Sequence, residues 1–165
     1  VSDTQRISTP EQHAALAHPV RQRLLFALKR QPSTISKLAA QLGVNKGGVS
    51  HHLKVLRDAG IVREAGTRTV RGGTEQYYRL TAPHLLVDDP QPEGTAALMG
   101  AVAQELDRSP VDHLLRLRHL RLSPARAAQF KEMLMRLVDE LEEDPEGEPM
   151  HGILVTLYQE AEFRR

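Results

Sequence analysis

Over the first sixty residues, apolar positions recur at the spacing of one helix face, and the run is broken at His18-Pro19, Gln31-Pro32 and Gly43. Thr9-Pro10-Glu11-Gln12 combines an N-cap residue, a proline at the first helical position and a glutamine three residues after the cap, which predicts a short helix through Ala17. From Pro19 to about Arg30, Val20, Leu24 and Leu28 share a stripe widened by Leu25, with arginines opposite. A third helix spans about Ser36 to Leu42 and buries Leu38, Ala39 and Leu42, with Gly43 supplying the left-handed residue beyond its end. Asn45 is a favourable N-cap for a fourth helix, reaching about Ala59, on which Val49, Leu53 and Leu56 align before Gly60 ends it. The opposite face of that helix carries Lys46, Ser50, Lys54 and Arg57, with His51 beside them.

The period then changes from helical to alternating. Ile61-Val62 begins an extended segment, and between Thr74 and Leu80 the residues Gln76, Tyr78 and Leu80 share a face, so a hairpin is expected. Its tip, Arg68-Thr69-Val70-Arg71-Gly72-Gly73, is basic and glycine-rich and reads as a flexible projection. Pro83 to Gly94, with three prolines and two adjacent aspartates, reads as a linker. Beyond it, Leu98, Met99, Val102 and Leu106 form a stripe on a helix from about Thr95 to Arg108, suited either to a partner helix or to the chain's own core. Leucines 114 to 122 fit neither period throughout; a helical start and a strand near His119 to Leu122 are expected. Ser123-Pro124 caps a helix with Phe130, Leu134, Leu137, Val138 and Leu141 on its apolar side, and after an acidic loop Gly152 to Tyr158 has strand composition. Strand, helix and strand would make a small α/β unit.

Charge sharpens this division. The net charge of +1 is the difference of two unlike halves: residues 1–83 hold 13 Lys and Arg against 5 Asp and Glu, net +8, and residues 84–165 hold 9 against 16, net −7. Such asymmetry suits a polyanion-binding module joined to something else, although two unrelated solvated surfaces would also produce it. Cysteine is absent, which excludes disulfides, thiolate metal sites and cysteine nucleophiles. No apolar run approaches the ~20 residues needed to cross a bilayer, and Val1 to Pro10 lacks the apolar stretch of a signal peptide, so a cytoplasmic location is expected.

Three strings in fixed order now carry a resemblance: Leu16-Ala17-His18-Pro19-Val20-Arg21-Gln22-Arg23-Leu24-Leu25, then Leu38-Ala39-Ala40-Gln41-Leu42-Gly43-Val44, then Val49-Ser50-His51-His52-Leu53-Lys54-Val55-Leu56-Arg57-Asp58-Ala59-Gly60-Ile61-Val62, with Tyr78-Arg79-Leu80 closing the hairpin. From Leu16 to Thr81 the chain resembles the ArsR-type winged helix-turn-helix regulators of prokaryotes. The resemblance implies a homodimer on a near-palindromic operator, acting as a repressor released by a ligand or metal. The expected fold class is mainly α with α+β character: a winged helix-turn-helix DNA-binding domain at 1–83, a linker at 84–94, and a small helical or α+β dimerisation or effector domain at 95–165. The last part looks like the C-terminal extension of larger ArsR-like regulators, and no residue there commits to a ligand, so its binding residues are unassigned.

A helix of about 15 residues with short polar side chains at its start fits the major groove, where Lys46, Ser50 and His51 could reach base edges. Lys54, Arg57, Arg68 and Arg71 would hold phosphates or the minor groove. Gly47 and Gly48 stand where larger readers are expected. They imply either a frayed first turn or bare backbone N–H groups that approach a phosphate closely. The expected partners are double-stranded DNA, a second copy of the chain and a small-molecule effector, with no membrane. The alternative is a winged-helix protein-interaction module that does not touch DNA.

Eight histidines raise a metal site, but the spacing argues against one. His51 and His52 point about 100° apart on a helix, and His52, next to the core stripe, reads as a packed, hydrogen-bonded side chain. Asp112, His113 and His119 lack a second pair at helical spacing. No cofactor is expected. No enzyme is expected either, since the chain lacks G-x-x-x-x-G-K-[ST], H-E-x-x-H and G-x-S-x-G.

Overall fold

Side chains that satisfy helix ends account for most of the boundaries in the computed structural model, which describes residues 4–110, 113–145 and 147–161. The chain divides into two units, Val1–His113 and Leu114–Arg165. In the first, strand β1 (Thr4–Ile7) leads into α1 (Pro10–Leu16), where Thr9 and Gln12 close a reciprocal capping box. Helix α2 (Pro19–Arg30) follows after a two-residue break, capped by His18 Nδ1 accepting from the Val20 N–H at 3.1 Å. The break leaves the Ala15 and Leu16 carbonyls without backbone donors, while the Ala14 carbonyl accepts from the Ala17 N–H. Arg21 donates to Ala15 and Ala14, and Gln22, itself buried, donates to Leu16 at 2.9 Å.

Strand β2 (Ser33–Thr34) precedes α3 (Ile35–Leu42), and Thr34 serves both, pairing with Tyr77 through its backbone and capping α3 through its hydroxyl. Helix α4 (Lys46–Asp58) ends where Gly60 adopts φ +72°, which lets the Ile61 N–H reach back to the Leu56 carbonyl at 2.9 Å. That turn sends Ile61 and Val62 straight into the core, both at most 1% exposed.

Strands β3 (Val62–Val70) and β4 (Gly73–Leu80) form an antiparallel hairpin, and the sheet order is β2-β4-β3. The expected flexible tip of six residues is replaced by a tight turn: the ladder runs to the Val70–Gly73 pair, leaving only Arg71 and Gly72 outside it. Gly72, at φ +98° after a residue of negative φ, supplies the type II pattern that needs glycine at its second central position. A bulge between Glu64 and Thr67 is unforeseen by simple alternation.

The expected 84–94 linker and the boundary near residue 83 are corrected by two elements. Strand β5 (His84–Val87) pairs in parallel with β1, and α5 (Pro92–Asp107) begins inside the segment. Proline at the start of α5 begins the helix instead of breaking the chain. Helix α5 packs on α1 and α2 through Ala97 and Ala101, with Arg30 and Glu105 paired at 3.6 Å, so it belongs to the first unit. Leu98, Val102 and Leu106 stay half-buried beside that contact, and Met99 is exposed. The core of the unit joins Leu24 and Leu28 of α2, Leu38 and Leu42 of α3, the inward stripe of α4, Ile61 and Tyr78.

The second unit contains α6 (Pro124–Asp139), capped by Ser123 as its sequence requires. Neither the helical start after Leu114 nor the strands at His119–Leu122 and Gly152–Tyr158 form among the described residues, and no α/β sheet is built there. All the described residues of those segments except Leu122 are exposed, so their apolar side chains are at most partly covered, and strands lacking a ladder and a buried face gain no stability.

Replacing Thr34 by valine keeps its bulk and removes the hydroxyl that caps α3. The expected loss is about 1 kcal/mol, seen as a melting temperature lower by several degrees; an unchanged melting curve would show that the cap contributes nothing.

Candidate nucleic-acid interface

Helix α4 presents two unlike faces because its apolar residues follow the helical period. Val49, Leu53 and Leu56 are 0–1% exposed, while Lys46, Gly47, Ser50, His51, Lys54 and Arg57 all lie on the solvent side. Gly48 is half-buried. Arg68 on β3 and Arg71 in the turn are exposed on the hairpin, so the sequence-selected positions divide between one helix face and one projecting ribbon.

The first turn of α4 is a formed helix. Asn45 Oδ1 accepts from the Gly48 N–H at 2.7 Å, which occupies one of the donors that an anion could otherwise use. A β-carbon on Gly48 would meet Val44 Cγ1 at 3.2 Å, whereas one on Gly47 would meet only Asn45 Oδ1 at 3.4 Å. Gly48 is therefore constrained by a neighbour and Gly47 is not.

Two of the expected phosphate-holding cations are engaged within the protein. Lys54 pairs with Asp58 one helical turn away at 2.5 Å, and Arg57 reaches across to Glu64 of β3 at 2.8 Å. The hydrogen bond from Lys54 holds the Asp58 carboxyl below its ordinary value. Both pairs are exposed, and such pairs contribute at most about 1 kcal/mol, so a phosphate can compete for either cation. The Arg57–Glu64 pair also ties the hairpin to α4. Sequence reasoning missed these partners; the four-residue spacing of Lys54 and Asp58 was the available signal.

Behind the outward face lies a histidine cluster. The His52 ring is 4.4 Å from that of His18 and 5.4 Å from that of His51, and Arg21 Nη1 stands 3.4 Å from His52 Nδ1. His52 is thus packed and polar-partnered as its position beside the core stripe suggested. Its partners on the α1–α2 break were not foreseen. Burial, followed by the charges of His18, Arg21 and His51, lowers the His52 pKa to about 4; burial and Arg21 also lower that of His18. Arg21 therefore joins the end of α1, its own helix α2 and α4 in one contact set.

Asp112 of the proposed Asp112, His113 and His119 grouping lies outside the described residues. His119 contacts Glu160 at 3.5 Å and the Tyr158 hydroxyl at 3.4 Å. Among the described residues no group of three or more His, Cys, Asp or Glu could hold a metal ion. An open hollow of about 290 Å³ lies between α1 and the start of α5, lined by His13, Ala14, Ala17, Gln91 and Glu93. No helix among the described residues is long and apolar enough to cross a membrane.

Residues 18–64 match the arsR family of bacterial regulatory proteins. The chain is similar to a transcriptional repressor SmtB homolog of Synechocystis, 38% identical over 44% of this chain and 52% of that protein. It is 36% identical to the HTH-type transcriptional regulator NmtR of Mycobacterium tuberculosis over 44% of this chain and 58% of that protein. The chain thus spans about half the length of the curated relatives it matches. Among solved structures, the cadmium metal-sensor CMTR from Mycobacterium tuberculosis is 33% identical, covering 51% of this chain and 95% of that one, with a TM-score of 0.38.

Two outcomes are expected. Because His52 has a lower pKa folded than unfolded, the unfolded chain takes up the proton first; stability is full above about pH 6.5 and falls as pH drops towards about 4. His52→Gln should flatten urea-derived stability against pH over that window, and an unaltered acid slope would contradict the assignment. Gly47→Ala should raise the melting temperature, reflecting about 1 kcal/mol of helix propensity, while Gly48→Ala gains less because Val44 must move. Equal gains at both would show that the Val44 contact is immaterial.

Proposed function

We propose that the chain is a transcriptional repressor that binds double-stranded DNA as a homodimer through the outward face of α4, a reading supported by the match of residues 18–64 to the arsR family of bacterial regulatory proteins. One observation carries this reading: the inward stripe of α4 is sealed in the core while a polar, basic face with no carboxylate in its first two turns stands free. A helix so mounted can enter a major groove. In this reading Lys46, Ser50 and His51 meet base edges, and Lys54, Arg57, Arg68 and Arg71 meet phosphates or the minor groove. Gly47 would let backbone come close to the sugar-phosphate chain.

The homodimer is supported by the half-buried stripe Leu98, Val102 and Leu106 on α5 and by the exposed apolar residues of Leu114–Arg165. Two copies with recognition helices about 34 Å apart would address successive turns of one duplex face. The second unit is assigned to dimerisation or to sensing a small-molecule effector. In this reading the chain performs no catalysis and works in the cytoplasm. A second reading, a protein-interaction module, is favoured by the Lys54–Asp58 and Arg57–Glu64 pairs, which reduce the positive charge beside the helix.

Titrating a labelled duplex with the full chain at increasing salt separates the two. The repressor reading expects affinity that falls steeply with salt, whereas the interaction-module reading expects no salt-dependent binding to any duplex. Once an operator is selected, Lys46→Ala and His51→Ala should each reduce preference for it by roughly tenfold or more, while Arg71→Ala weakens all duplexes alike. Uniform, equal losses from all three would mean that the assigned base readers only hold phosphate.

A further inference from the structure

The hairpin has a second basic surface. Tyr78 and Leu80 of β4 turn inward to the core, so Tyr77 and Arg79 face outward. Arg63 is the direct cross-strand partner of Arg79 and shares that outer face. Residues so paired hold their β-carbons about 5 Å apart, and like charges in that position destabilise a hairpin. Neither guanidinium has a hydrogen bond or ion pair among the described residues.

The neighbouring carboxylates do not relieve the repulsion. Glu64 lies on the inner face, committed to Arg57, and Glu75 is four residues along β4 from Arg79, about 13 Å away, opposite Arg68. A third cation closes the surface from α3: Lys37 Nζ sits 5.8 Å from the centre of the Tyr77 ring. One cation thus lies over Tyr77, and strand register sets two more side by side on the same face of the hairpin.

We propose that Arg63, Arg79 and Lys37 form a phosphate-binding clamp for the DNA backbone, outside the recognition helix and distinct from the hairpin tip. The clamp rests on the DNA-binding reading and adds to it. It adds sequence-independent cations to Lys54 and Arg57, which a phosphate must first draw from Asp58 and Glu64. Binding a backbone phosphate between the two guanidiniums removes their mutual repulsion, so the site favours a polyanion over the empty state.

The test measures binding of the full chain to a random-sequence duplex of about 30 base pairs as a function of salt, together with melting temperature without DNA. Each guanidinium lost should lower the slope of log K against log salt by about one, so Arg63→Gln and Arg79→Gln lower it by one and the double variant by about two. The same variants should melt at or above the wild-type temperature, because the repulsion has gone. A retained slope in the double variant, while Arg71→Ala still lowers it, overturns the clamp and leaves the DNA-binding reading standing. Variants that melt below the wild type also overturn it, by showing that the pair supports the fold. Wild-type protein that binds no duplex at low salt overturns both.

Discussion

The placement of α4 depends on the exclusion of water from Val49, Leu53 and Leu56. Each is fully buried, and burying a side chain of that size is worth about 1.5–3 kcal/mol, so rolling the helix by one residue's turn would forfeit several kilocalories. The composition of the outward face follows from that constraint, because the side chains opposite the stripe have no freedom to face elsewhere. A second contact set holds the same helix from its flank. The His18-Pro19 break leaves the Ala15 carbonyl open; Arg21 donates to it and also to the Ala14 carbonyl, and its remaining nitrogen reaches His52 of α4. The break thus does more than separate two helices; it opens an acceptor that holds Arg21 against α4.

Where local chemistry decides the outcome, residues announced it in advance. Thr9, Asn45 and Ser123 cap the helices they were expected to cap, and the apolar stripes on α2, α3 and α4 are the ones that are buried. Long-range pairing was less legible. Nothing within His84–Val87 signals that it will pair with Thr4–Ile7, some eighty residues earlier, and the prolines around it read equally well as a linker or as a helix start. Stripe membership also did not reveal which residues of α5 would be buried: close helix contact selects Ala97 and Ala101, and the larger Leu98 and Val102 remain at the margin. Among the described residues of Leu114–Arg165 strand composition is present without a partner ladder, and composition alone does not make a sheet.

The candidate interface shows the same division electrostatically. Counting Lys and Arg identifies a basic half, but the count cannot say which cations are already paired. The fold commits Lys54 and Arg57 to carboxylates and forces Arg63 and Arg79 together through strand register, a consequence of pairing across sixteen residues that helical periodicity cannot reveal. The glycines are a partial exception. Gly47 and Gly48 were visible as departures, and the fold separates them into one position free to approach a ligand and one limited by Val44 and already capped by Asn45.

In the proposed repressor the outward face of α4 lies against DNA. Because the chain contains no cysteine, Ser50→Cys would carry a photo-crosslinker at one position on that face, and Gln104→Cys would place the same reagent on the exposed side of α5. Strong crosslinking to a duplex is expected from position 50, lost at high salt, with little from position 104. Equal crosslinking from both positions, or none from position 50 while the protein binds DNA, would contradict it.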